Sequence, residues 1–300
     1  MALKAGRVLV AGLWLVLTAC GPQDFSSTAS PSVSSLSTAS PSAPSPSPAA
    51  PIASSPSTAS PSMVTQPAPT AASCDTGWRQ VDTALEFRRL PVAIDQQQTD
   101  LIILRLDPKL YHIRVAYDSG HPGRISDWAA SVKPVALING GYFDEKKKAT
   151  ALVIFDGIAQ GSSYKGFGGM VVVNQQGGFE LRSLRQQPYD PAEPLQQAMQ
   201  SSPMLIQPGG VLSDLQADDR RSRRTVIARD TRGRILLIVC DFPVFTLDDL
   251  ARLLKESDLG LDAALNLDGG SSTGMYLHTS TMKFTIDSFD TVPLVLVVDK

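Results

Sequence analysis

Between residues 21 and 73 the chain carries a single charge, Asp24, and 11 of its 22 prolines. The hexamer Ser-Thr-Ala-Ser-Pro-Ser recurs there at 27–32, 37–42 and 57–62. Such a stretch has too little apolar surface to offset the entropy of ordering it, and its prolines stiffen it toward extended conformers. The repeat unit is also too short and too polar to stack as a solenoid. The fold is therefore expected in residues 74–300, which hold nearly all the charges and are long enough to bury one sizeable core.

At the other end of the polar stretch, Lys4 and Arg7 precede an apolar run from Val8 to Leu17. The run is too short to cross a bilayer as a mature helix and reads as a signal segment. Leu17-Thr18-Ala19-Cys20 resembles a bacterial lipobox, in which Cys20 is acylated and heads the mature chain. The organisation expected is a signal peptide at 1–19, a lipid-anchored tether at 20–73 and a domain at 74–300. An ordinary signal peptide with a chance Cys, or an uncleaved anchor, are the alternatives. Lipidation makes a membrane one partner and places the domain outside the cytoplasm. Gly21 stands where an Asp would commonly retain a lipoprotein in an inner membrane. An outer membrane is then expected where the cell has one, and otherwise the outer face of the plasma membrane.

A formal net charge of -2 argues against a nucleic-acid partner, which calls for a basic excess. Three scattered His and three Cys do not make a zinc cluster; P-loop, His-Glu-x-x-His and EF-hand spacings are missing, and no Gly-x-Ser-x-Gly elbow is expected. No cofactor is implied, although a divalent cation stays open. A disulfide between Cys74 and Cys240 is permitted outside the cytoplasm; burial of Cys240 as a small hydrophobe is equally ordinary.

The domain opens with period-two segments at 85–90, 100–107 and 111–118. In the last, Tyr111, Ile113, Val115 and Tyr117 face one way, and His112, Arg114 and Ala116 the other. With Asp107-Pro108-Lys109 as a turn, the last two segments are predicted to pair antiparallel, His112 being solvated. Further strands are predicted at 132–138, 151–155, 169–174 and 179–183, with turns at Asp156-Gly157 and Gly177-Gly178. Val- and Ile-rich strands follow at 224–229 and 233–240. Thr246 then stands as the N-cap of a helix carrying Leu247, Leu250, Ala251 and Leu254 on one face. Gly260 lies beyond it, and a strand follows at 263–268. Strand, helix and strand over this span predict a parallel crossover. The fold class expected is α/β with α+β character: a mixed twisted sheet with flanking helices, antiparallel N-terminal strands and a βαβ-type C-terminal half. Asp241 and Asp268 would then end neighbouring strands, where open α/β sheets bind ligands, and Asn139 would end another.

Two glycine turns carry the chemistry. Asn139-Gly140-Gly141 and Asp268-Gly269-Gly270-Ser271-Ser272 each place a polar side chain before a Gly pair at a strand end. Glycine admits positive φ and close approach, so that successive N–H groups can converge on an anion; tight structural turns are the plainer alternative. Arg220 and Arg221 follow Asp218-Asp219 and read as a solvated loop. Arg224 differs because it begins an apolar strand, and a guanidinium fork suits phosphate. Lys146, Lys147 and Lys148 read as a surface loop.

In this order, Asn139-Gly140-Gly141-Tyr142-Phe143, Arg224-Thr225-Val226-Ile227 and Asn266-Leu267-Asp268-Gly269-Gly270-Ser271-Ser272 resemble the phosphodiester glycosidase domain. That family includes the lysosomal mannose 6-phosphate uncovering enzyme and many bacterial envelope proteins. The likeness covers most of 80–300. Ser271 stands where the family often has a third glycine, and Ala228 where a Gly commonly follows the Arg strand. The resemblance implies hydrolysis of a sugar linked through its anomeric oxygen to a phosphodiester. Arg224 and the N–H groups around Gly140-Gly141 and Gly269-Gly270 would hold the phosphate. Asp268 would serve as base or nucleophile, Asn139 would orient substrate or water, and Asp241 is a second candidate carboxylate. Tyr142, Phe143, Asn266, Ser271 and Ser272 complete the expected substrate contacts, the substrate being an envelope or exopolysaccharide glycan. A non-catalytic phosphoglycan binder, or a structural lipoprotein, are the rival readings.

Overall fold

The computed structural model describes residues 74–94, 96–216 and 218–300. The expected signal at 1–19, the lipidation at Cys20 and the tether at 20–73 lie outside the described residues. In chain order the strands are β1 (Arg79–Asp82), β2 (Leu85–Ile94), β3 (Gln97–Leu106), β4 (His112–Tyr117), β5 (Ala136–Asn139), β6 (Val153–Phe155), β7 (Ile158–Gln160), β8 (Gly169–Asn174) and β9 (Phe179–Ser183). They continue as β10 (Leu195–Ser201), β11 (Met204–Gln207), β12 (Val211–Leu212), β13 (Ser222–Asp230), β14 (Ile235–Phe245), β15 (Leu261–Asn266), β16 (Met275–His278), β17 (Lys283–Ile286) and β18 (Leu294–Asp299). Helix α1 (Ile125–Val132) precedes β5, and α2 (Leu247–Glu256) lies between β14 and β15.

Three sheets result. The largest has the order β1-β2-β3-β14-β13-β15-β11-β12; two five-stranded sheets run β17-β16-β5-β18-β4 and β7-β6-β10-β8-β9. Along β14, Ile235, Leu237 and Val239 enter a central core shared with Leu294, Leu296 and Val298 of β18. The alternate residues Leu236, Ile238 and Cys240 enter a second core, covered by Leu250, Ala251 and Leu254 of α2. Both faces are thus buried, which is why β14 reads as an unbroken apolar run. Helix α2 starts where expected: the Thr246 hydroxyl accepts the Asp249 N–H at 3.1 Å, a cap worth about 1 kcal/mol. Helix α1 packs Ile125, Trp128 and Ala129 on the outer face of the second sheet, against Leu137, Val295 and Val297.

The molecule is richer in β-structure than the α/β class expected, and the ladders between named strands among the described residues are antiparallel. The predicted crossover pair is not adjacent. Strands β14 and β15 do run the same way, but β13 lies between them, antiparallel to both. The hairpin turn at Asp230–Gly233, with Gly233 at φ 82, seats β13 beside β14 first. The chain returning from α2 therefore lands on the far side of β13.

The predicted pairing of 100–107 with 111–118 also fails. Strand β3 pairs with β2 and β14, whereas β4 pairs with β18. Leu101 and Ile103 enter one core and Ile102, Leu104 and Leu106 the other, so β3 needs neighbours on both edges and cover on both faces. The exposed His112 and half-buried Arg114 suit β4 to a sheet edge. Val132 closes α1 rather than opening a strand: Lys133 turns left-handed at φ 50, Pro134 follows, and β5 starts at Ala136. Cys74 is exposed, Cys240 is buried, and the two are unpaired.

Candidate active site

Because β13 runs against its neighbours, its first residues arrive where β14 and β15 leave. Arg223, Arg224, Asp241 and Asp268 therefore gather at one end of the large sheet. Asn139, ending β5 in the second sheet, joins them.

Asn139 has no exposed surface, and its carboxamide is fully taken up. Its Nδ2 donates to the Asp268 carbonyl at 2.7 Å; its Oδ1 accepts from the Thr225 hydroxyl at 2.7 Å and the Gly274 N–H at 3.1 Å. The Asp268 N–H in turn donates to the Gly140 carbonyl at 3.0 Å. Asn139 is the clasp between the two glycine turns and β13, not a group reaching toward a ligand.

The glycines differ in what they permit. A Cβ on Gly140 would lie 2.6 Å from Leu294 Cγ and 2.9 Å from Met199 Sδ; one on Gly141 would lie 2.7 Å from the Gln200 carbonyl. These two serve close packing. Their N–H groups donate to the Leu294 carbonyl and to Met199 Sδ, so the expectation that they hold an anion is not met. Gly269 N–H donates to its neighbour Asp268 Oδ1 at 2.9 Å. Gly270 alone of the four takes positive φ, at 62, and opens a short 3₁₀ turn through Ser272.

Asp268 is half-buried, and that burial pushes its carboxyl above the usual range, against hydrogen bonds from Ser272 and the Gly269 N–H. Against the expectation that no Gly-x-Ser-x-Gly elbow occurs, Gly270-Ser271-Ser272-Thr273-Gly274 does have that spacing. Ser272 is buried and serves Asp268, and the three His are exposed elsewhere, so this is not a nucleophile elbow. Ser271 is exposed, and its carbonyl accepts from the Phe289 and Asp290 N–H groups.

Tyr142 donates its hydroxyl to the Ser202 carbonyl at 2.9 Å and accepts from Asn266 Nδ2 at 2.8 Å. Burial pushes its phenol up to about 12; the Asp268 charge adds to this and Arg224 opposes it. Both charges are thus felt at one ring. Asn266 is 1% exposed and its Oδ1 has no partner.

Arg224, 4% exposed, donates only to carbonyls: Phe245 at 3.1 Å and Arg220 at 2.8 Å. Burial lowers its proton affinity, and no carboxylate among the described residues pairs with it. Arg223, passed over in the sequence, is the residue that takes a carboxylate. It pairs with Asp241, donates to the Gly270 carbonyl at 3.3 Å, and lies 4.0 Å from the Phe289 ring centre. Asp241 does not end its strand: the ladder jumps from Arg224–Cys240 to Ser222–Phe245, so Asp241 stands in a bulge facing Arg223. Lys147 also departs from the exposed loop expected for it. Its ammonium bonds Asp290 at 3.0 Å and covers Phe143 at 4.7 Å, while Lys146 and Lys148 are exposed. Among the described residues no three His, Cys, Asp or Glu side chains gather to hold a metal ion.

Residues 133–298 match the phosphodiester glycosidase family, NAGPA. The chain belongs to that family. This phosphodiester glycosidase is similar in fold to the catalytic domain of zebrafish N-acetylglucosamine-1-phosphodiester alpha-N-acetylglucosaminidase, solved auto-inhibited by its pro-peptide. The TM-score is 0.58 at 20% identity, over 72% of this chain and 84% of that one. A hypothetical protein from Synechocystis matches with a TM-score of 0.53 at 14% identity, over 72% of this chain and 62% of that one. No curated protein sequence matches the chain.

Proposed function

We propose that this phosphodiester glycosidase hydrolyses a glycosyl phosphodiester in a cell-envelope or exopolysaccharide glycan, outside the membrane to which an acylated Cys20 ties it. The zebrafish enzyme is named for an N-acetylglucosamine 1-phosphodiester, and the same class of bond suits the residues here. In the reaction, water attacks the anomeric carbon and the bond from that carbon to the phosphate oxygen breaks. The electron pair leaves with a phosphate monoester, whose second pKa of about 6 makes it a good leaving group. Asp268 takes the proton from water; a carboxylate whose proton affinity is raised by burial suits that task. Arg224 faces the phosphate and supplies charge as it leaves, with Tyr142 and Asn266 holding the ring between them.

One observation carries this reading. A buried guanidinium with no carboxylate paired to it among the described residues and a half-buried carboxylate with no cation in contact both act on Tyr142. An uncompensated buried cation is costly, and an anionic diester relieves it, while the negative charge it brings raises the proton affinity of Asp268 further and so favours its taking a proton from water. Release of free sugar from a sugar 1-phosphate diester tests it. Asp268→Asn is expected to lose about 10²–10⁴-fold in kcat, and Arg224→Ala to lose about 10²-fold or more in kcat/KM. Wild-type turnover in both folded variants would sink the assignment. Failure of Cys20→Ser to abolish labelled fatty-acid incorporation would refute the anchor.

A further inference from the structure

Arg220 stands on an exposed loop, but the backbone of that loop is built around Arg224. The Arg220 carbonyl accepts from Arg224 Nη2 at 2.8 Å, and the Arg220 N–H donates to Asp218 Oδ1 at 2.9 Å. The loop thus sets an exposed arginine beside a buried one at the candidate site. Beside burial, the Arg220 charge lowers the proton affinity of Arg224, with Asp218 opposing it. The same charge acts on the Tyr142 phenol, which burial pushes up and Arg220 pulls down. Among the described residues no carboxylate forms an ion pair with either arginine. Two guanidinium groups brought together without a carboxylate between them suit an anion.

The charge on the phosphate changes during the reaction. A phosphodiester enters with a single negative charge, which Arg224 alone balances. Water then adds its oxygen to the anomeric carbon and yields its proton to Asp268, while the electron pair of the carbon–oxygen bond stays on the phosphate. The monoester that departs carries about 1.5 to 2 negative charges near pH 7. The added charge exists only once the bond is breaking, so a cation that meets it acts on the transition state more than on the bound substrate. Arg224 is held in place by two carbonyls, whereas a long side chain on the exposed side of the site can follow the phosphate outward. We propose that Arg220 is the second arm of the phosphate clamp: Arg224 binds the diester, and Arg220 meets the charge that develops on the departing monoester. This rests on the reading of Asp268 and Arg224 given above.

The test compares the full wild-type chain with Arg220→Gln and Arg220→Lys, which leave the backbone bond to Arg224 in place. On a sugar 1-phosphate diester, Arg220→Gln is expected to lose about tenfold in kcat with KM little changed, and Arg220→Lys to recover most of it. Lys109→Gln removes the same charge from an exposed position elsewhere and should match the wild type. Two inhibitors separate the charge on the phosphate: methyl phosphate, a monoester, and dimethyl phosphate, a diester. Arg220→Gln is expected to weaken methyl phosphate about tenfold and dimethyl phosphate by less than about twofold, whereas Arg224→Ala weakens both. An unchanged kcat, a loss confined to KM, or equal losses on the two inhibitors overturns the second arm. If the wild type does not turn over the diester, the reading of Asp268 and Arg224 fails, and methyl phosphate binding by titration calorimetry decides. Binding weakened in Arg220→Gln then supports the pair of arginines; binding unchanged in that variant, or no binding, overturns it.

Discussion

Replacing Asn139 by Ala separates a clasp from a catalytic group. The side chain is buried, and its loss leaves the Asp268 carbonyl and the Gly274 N–H without their partner. The Thr225 hydroxyl keeps only a 3.4 Å contact with Thr273. At about 1–3 kcal/mol for each buried polar group left unpaired, three such groups put the cost near 3–9 kcal/mol. That is a large share of the roughly 5–15 kcal/mol that holds a typical domain folded. For a domain of this size each kcal/mol moves Tm by about 2–4 °C, so a drop of roughly 6–36 °C is expected. Asn139→Asp is the sharper variant. It keeps both acceptor bonds but turns the donor toward Asp268 into a second oxygen facing a carbonyl at 2.7 Å, and so should loosen that loop selectively. Thermal unfolding read beside sugar release is the assay. If Asn139→Ala abolished turnover while Tm stayed within about 1 °C of wild type, Asn139 would act on substrate, and the argument from its burial would be wrong.

The raised proton affinity of Asp268 contributes stability that is present below the ordinary aspartate value of 3.8 and is lost as pH rises through the folded value. The Tm of Asp268→Asn relative to wild type should therefore increase from pH 4 to pH 7, while activity is lost; a difference independent of pH would count against a carboxyl whose proton affinity burial raises. For the same reason the acidic limb of kcat/KM should lie above 3.8. Lys147 favours the charged form of Asp268, so Lys147→Met should move that limb further upward, and an unmoved profile would remove Lys147 from the site. Gly140→Ala forces a methyl to 2.6 Å from Leu294 Cγ and should cost about 1–3 kcal/mol in denaturant unfolding.

Local signals in the sequence were legible, and partners across sheets were not. Helix α2 could be read because its cap and its apolar face lie within a few residues of one another. Strands β8 and β9 coincide with their predicted bounds for the same reason. The pairing of β3 failed because two adjacent alternating segments look like a hairpin whichever sheets they join. What separates them is that β3 is apolar on both faces and β4 on one, a contrast visible in the residues but not weighed. The site divides along the same line. Asn139, Asp268 and Arg224 stood out because each begins or ends an apolar run. Thr225 and Lys147 are a strand hydroxyl and a loop lysine, and only the tertiary structure brings them to Asn139 and Asp290.

Arg223 and Arg224 show why residue type at a strand end is not enough. They are adjacent, of one residue type, and both about as buried as core residues. The pleat sends consecutive side chains to opposite faces. On one face the bulge after Cys240 presents Asp241 to Arg223, and the Gly270 and Asp287 carbonyls take its remaining donors. Its charge is neutralised, and its work is to fix the Asp268–Ser272 turn from behind. On the other face Arg224 meets carbonyl oxygens alone, which satisfy donors without cancelling the charge. An incoming phosphate therefore experiences Arg224 as a net cation and Arg223 as half of a dipole. The antiparallel insertion of β13 makes this division possible: it brings both arginines to the end of the sheet where Asp268 leaves it.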